Sequence, residues 1–114
     1  MLTYQVVSPK LHEIKPLDEE QVCEEIERIA VDFGLDLTQR TTLSSKKGSY
    51  HWHFKKGKEK GVLEITYWPK KSELCLDLHD NRQAEWNLAV IQPLAEAYAV
   101  LFGGEVANGT GPSQ

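Results

Sequence analysis

Sulfur is scarce in this chain, which holds two cysteines and one methionine. Cys23 falls on an expected helix and Cys75 on an expected strand, on opposite sides of a two-layer domain. A disulfide needs its two Cα atoms within roughly 7 Å, so the two are not expected to pair, and reduced thiols fit a cytoplasmic protein. Met1-Leu2-Thr3-Tyr4-Gln5 has neither a basic lead-in nor an apolar run, so no signal peptide is expected. The most apolar stretch, Leu88 to Gly104, is interrupted by Gln92, Pro93 and Glu96 and falls short of the ~20 residues a bilayer requires. No membrane association is expected. Neither a phosphate-binding glycine loop nor a dinucleotide fingerprint occurs, and Ser44 and Ser45 have no placed base. Cys75 has histidines on its own strand face but no oxyanion donor beside it. Catalytic residues are therefore not expected.

What the chain does contain is an uneven distribution of charge. The formal net charge of −4 argues against unselective binding to nucleic acid. Of the 13 basic residues, eight lie between Lys46 and Lys71 against two acids, so that segment carries +6 and the remainder −10. Lys55, Lys56, Lys58 and Lys60 crowd one loop, whereas Lys46, Lys47, Lys70 and Lys71 fall in turns at the other end of the strands. The groups are a strand length of roughly 20 Å apart, which gives no single basic stripe. Nucleic acid is not an expected partner.

Hydrophobic periodicity predicts an α+β fold of two layers, ordered α-β-β-β-β-α, with a four-stranded antiparallel sheet, both helices on one face and the other face open. Residues 1–104 form the expected single domain and 105–114 a disordered tail. Within 1–16, Leu2 to Val7 is a possible extra strand and Pro9 and Pro16 bracket a polar connection. Asp18, with Gln21 as its capping-box partner, opens a helix whose apolar stripe is Val22, Ile26, Ile29, Ala30 and Phe33 and whose stop is Gly34. Strands are expected at Leu37–Ser44, Ser49–Phe54, Val62–Trp68 and Glu73–His79. Asp80, with Gln83, opens a second helix that Pro93 should kink and Gly103-Gly104 should end. Around that helix only Glu85, Gln92 and Glu96 form a polar wedge. It must cover the sheet and also touch the first helix, a second subunit, or both.

Alternation by twos sorts the central strands into two faces. Tyr50, Trp52, Phe54, Leu63, Ile65, Tyr67, Leu74, Leu76 and Leu78 point to the core. His51, His53, Glu64, Thr66, Cys75, Asp77 and His79 point the other way, and Trp68 shares their parity as an exposed anchor or a cap on the hairpin. Residues i and i+2 on a strand lie ~6.6 Å apart on one face, which lets two imidazoles converge on one ion. If Trp52 pairs with Ile65 and Ile65 with Leu76, Glu64 lies beside His53, Asp77 beside Glu64, and Cys75 in the row of His51 and Thr66. Over its two histidines this pattern is similar to the strand-borne His-x-His of carbonic anhydrases and cupins. A carboxylate beside His53 would raise its pKa and make the patch responsive to pH near neutrality.

The expected function is that of a small cytoplasmic protein-interaction or regulatory module, a homodimer or the binder of a protein partner, without cofactor or catalysis. The alternative is a metal-binding protein or metal-dependent enzyme holding zinc at His51, His53, Glu64 and Asp77, with Cys75 or His79 as further ligands. A third reading is weak binding of single-stranded nucleic acid through the lysine loops.

Overall fold

The structure, a computed structural model, describes residues 1–8, 11 and 19–108. In chain order the elements are β1 (Leu2–Val7), α1 (Glu19–Asp32), β2 (Asp36–Thr41), β3 (Tyr50–Lys55), β4 (Leu63–Trp68), β5 (Glu73–Leu78), α2 (Glu85–Phe102) and β6 (Glu105–Asn108). Single 3-10 turns follow β4 at Pro69–Lys71 and β5 at Asp80–Arg82. The strands make one antiparallel sheet in the order β2-β3-β4-β5-β1-β6. No helix among the described residues is long and apolar enough to cross a membrane.

The sheet has six strands and not the four expected. The possible strand at Leu2–Val7 is β1, which pairs with β5 from Leu2 opposite Leu78 to Val7 opposite Glu73. On its other edge β1 pairs with β6, from Tyr4 opposite Asn108 to Val7 opposite Glu105, so the expected tail is ordered strand over its first four residues. β6 depends on close approach. A Cβ on Gly104 would come within 2.2 Å of the Val7 carbonyl oxygen and 2.6 Å of Ser8 Cβ, so only glycine lets the chain turn from α2 onto β1. Ser8 Oγ donates to the Phe102 carbonyl at 2.6 Å, which satisfies one of the open acceptors at the end of α2. The expected helix start at Asp18 and, apart from the buried Leu11, the connection bracketed by Pro9 and Pro16 lie outside the described residues.

The central strands take the register considered above, with Trp52 opposite Ile65 and Ile65 opposite Leu76. Trp52, Phe54, Leu63, Ile65, Leu74, Leu76 and Leu78 are wholly buried, each such side chain contributing about 1.5–3 kcal/mol by leaving water. From α1, Val22, Ile26 and Ala30 join this core, while Ile29 and Phe33 are half-buried at its margin. Glu27 of α1 accepts a hydrogen bond from Trp52 Nε1 at 2.8 Å. Arg40 of β2 reinforces that contact by pairing with Glu20 at 2.9 Å and Glu27 at 3.3 Å while its guanidinium lies over the Tyr50 and Trp52 rings.

Helix α2 begins at Glu85 and not at Asp80. Asp80–Arg82 is a separate turn because the buried Asn87 anchors the backbone there. Its Oδ1 accepts from the Ala84 amide at 2.9 Å, and its Nδ2 donates to the carbonyls of Arg82 at 2.9 Å and Val62 at 3.2 Å. These three bonds pin the chain entering α2 to the start of β4. The breadth of apolar surface on α2 is absorbed by two neighbours. Its contacts run to β1, β5 and β6 and to α1, where Tyr98 Oη donates to the Ile26 carbonyl at 2.7 Å. The helix continues through Pro93, which stands on the exposed side beside Ala89, whose carbonyl loses its amide donor there. Gly103, at φ 68°, ends it.

Candidate functional site

Glu64 is the hub of the polar sheet face. It leaves the middle strand β4 between His53 on β3 and Asp77 on β5, its cross-strand neighbours. Its two carboxylate oxygens face different groups. Oε1 lies 3.1 Å from His51 Nε2 and 3.7 Å from His53 Nε2. Oε2 lies 3.2 Å from His79 Nε2 and 3.6 Å from Arg82 Nη1. The surroundings are not those of a hydrated surface: Glu64 is 7% exposed, His51 6% and Thr66 3%. A carboxylate this far from water needs polar partners, and three imidazoles and a guanidinium supply them.

His51 is held at both ring nitrogens. Nδ1 stands 2.7 Å from Thr66 Oγ1, directly across the β3–β4 pair, which orients the ring so that Nε2 addresses Glu64. Edge contact with His53, at a centroid separation of 5.2 Å, packs the second imidazole against the first. Among the described residues, His51, His53 and Glu64 each offer one ligand atom within 4.8 Å of the others. The expectation that Glu64 would raise the pKa of His53 is reversed. Burial is the larger influence and pushes the pKa below the ordinary histidine value, outweighing the attraction of Glu64.

The other residues of this face have different roles. Asp77 accepts a hydrogen bond from Thr3 Oγ1 on β1 at 2.6 Å and is outside the converging group. Burial, with Glu64 adding to it, holds its carboxyl above the usual range despite the Thr3 bond. Cys75 faces Thr66 and Gln5 across the sheet, and burial pushes its thiol up to about 12, so it stays protonated and unreactive at neutral pH. Both cysteines are free. Trp68 ties two turns together: its Nε1 donates to the Lys47 carbonyl at 2.9 Å, and Lys46 and Lys71 lie over its ring. Lys46 also pairs with Glu73 at 3.0 Å. A groove between α1 and β2, lined by Glu24, Glu27, Arg28, Val31, Asp32 and Leu37, shares no residue with the histidine cluster.

Arg82 is the member that sequence reasoning missed. Read as the first turn of a helix, it had no reason to face the sheet. The 3-10 turn brings it over Glu64, with its amide donating to the His79 carbonyl at 2.9 Å and its carbonyl accepting from Val62 at 3.2 Å. No local signal in Asp80-Asn81-Arg82 announces this, because the turn is imposed by Asn87 and by the close approach of Gly61. No protein-family model, curated protein or solved structure matches the chain.

Proposed function

We propose that the protein binds a divalent metal ion, zinc by preference, through His51, His53 and Glu64 on the sheet face that the two helices leave uncovered. The observation that carries this reading is the convergence of two imidazole nitrogens and one carboxylate oxygen within 4.8 Å. Two histidines and a carboxylate suit zinc, and such three-residue sets leave the fourth position to water or substrate. Two further features support it. Burial keeps the His53 ring unprotonated at neutral pH, the form that ligates. With its Nε2 on an ion, His51 would donate from Nδ1 to Thr66 Oγ1, the outer hydrogen bond that orients metal-bound histidines. Asp77, occupied by Thr3, takes no part, and His79 stands at the opposite carboxylate oxygen as an outer partner.

Calorimetric titration of untagged, chelator-treated protein with zinc tests the proposal. One ion per chain and a higher melting temperature with zinc are expected, with affinity lowered about tenfold or more in His51→Gln and Glu64→Gln. The absence of both stoichiometric uptake and a thermal shift would refute it.

A second reading concerns partners. Val100 on α2 is 83% exposed and Leu88 is also exposed, so a second copy of the chain could pack there. The Gln92–Glu96 hydrogen bond places a polar seam on the exposed side of the same helix, which limits the apolar area. Light scattering distinguishes the outcomes. A dimer that Val100→Glu converts to a folded monomer supports the interface, and a monomeric wild type removes it. Nucleic acid has less support, because the Trp68 ring is engaged by Lys46 and Lys71 and Lys46 is paired with Glu73.

A further inference from the structure

We infer that the metal-loaded site takes a small oxyanion, held between the ion and the guanidinium of Arg82; this rests on the metal-binding reading above. The division of labour at Glu64 is the starting point. Oε1 faces the two ligating histidines, whereas Oε2 faces His79 and Arg82, so a metal ion and a pair of basic side chains share one carboxylate from opposite sides.

Charge decides what such a site attracts. A divalent ion and Arg82 together carry three positive charges, and the carboxyls of Glu64 and Asp77 offset two at most. Asp77, the neighbouring carboxyl, is engaged by Thr3. The excess is therefore positive, in a place where Glu64 and His51 are nearly removed from water and charges are weakly screened. Coordination of Oε1 also draws negative charge away from Oε2. The Arg82 contact, already long at 3.6 Å, weakens, and the guanidinium of a side chain 44% exposed becomes available to another acceptor.

The placement of Arg82 looks constructed. Its carbonyl is held by the Val62 amide and by Asn87 Nδ2, and its amide by the His79 carbonyl, so its backbone is fixed on three sides while its side chain reaches Glu64. A planar guanidinium beside a metal ion with a free position matches two oxygens of one anion, one to the metal and one to the fork. His79, exposed at the same edge, supplies a further donor. Phosphate and carboxylate share this chemistry, and the two are separable by experiment.

The test uses zinc-loaded protein freed of unbound zinc, titrated calorimetrically with inorganic phosphate and, in parallel, acetate at constant ionic strength. Zinc occupancy is measured on every sample. Saturable phosphate binding that requires zinc, and that is weakened about tenfold or more in Arg82→Gln at equal zinc occupancy, is the expected result. Acetate binding with the same dependence on Arg82 supports the same site and assigns it to carboxylates as well. Zinc uptake without a response to either anion, or a response that Arg82→Gln leaves intact, overturns this inference alone. Failure to take up zinc overturns it together with the metal-binding reading.

Discussion

A Cβ added to Gly61 would lie 3.0 Å from Nδ2 of Asn87, the group that holds the chain between His79 and α2 in place. The same atom would come within 2.9 Å of Ala84 Cβ, and Gly61 sits at φ +102°, where a side chain is strained even without neighbours. Gly61→Ala is therefore expected to destabilise the fold by about 1–3 kcal/mol. Urea unfolding of the variant checks this, and an unchanged midpoint would contradict it.

Tyr98 joins the helices through one buried bond, from its hydroxyl to the Ile26 carbonyl at 2.7 Å. Tyr98→Phe keeps the ring and removes a buried hydrogen bond to a carbonyl that keeps its helical donor, for an expected loss of about 0.5–1.5 kcal/mol. Thermal unfolding reads the difference, and a variant as stable as the parent would mean that water replaces the hydroxyl.

In metal-free protein His53 should make stability fall with acid. Its pKa in the fold is below the unfolded value of 6.5, because burial outweighs Glu64, with His51, Arg82 and His79 also opposing protonation. Between the two pKa values the unfolded chain binds more protons, so stability declines as pH falls through the window below 6.5. His53→Gln should flatten that part of the profile, measured with a chelator present. An unchanged slope would assign the effect elsewhere.

Asp77 acts in the opposite sense. Its folded pKa is above the unfolded 3.8, so ionisation costs stability as pH rises through the window above that value. Asn in its place still accepts from Thr3 Oγ1. Asp77→Asn should be as stable as the parent or more so at neutral pH, with a shallower acid-side profile. A clearly less stable variant would show that the charge itself is needed.

The part of this arrangement legible from residues alone was the part set by period-two alternation. Tyr50–Phe54, Leu63–Tyr67 and Leu74–Leu78 declared their faces, and the register considered for them, which groups His51, His53, Glu64 and Thr66, is the one observed. Helix α1 was equally readable from its stripe. What escaped was set by distant contacts. β6 has four residues, with Val106 its only large apolar side chain, and its partner β1 lies at the far end of the sequence. Asp80 looked like a helix cap because nothing nearby in sequence reveals that Asn87 bonds backwards to Val62 and Arg82. Arg82 was missed for the same reason. The sign of the His53 shift escaped too, since two strands of polar residues do not disclose that their centre is dry.

Because β1 runs between β5 and β6, the earliest strand in the chain finds both its neighbours among the later ones. A ribosome releasing this polypeptide would expose Leu2–Val7 long before either edge could be paired. The sheet thus closes through its most widely separated segments, a topology whose loop-closure cost is expected to slow folding.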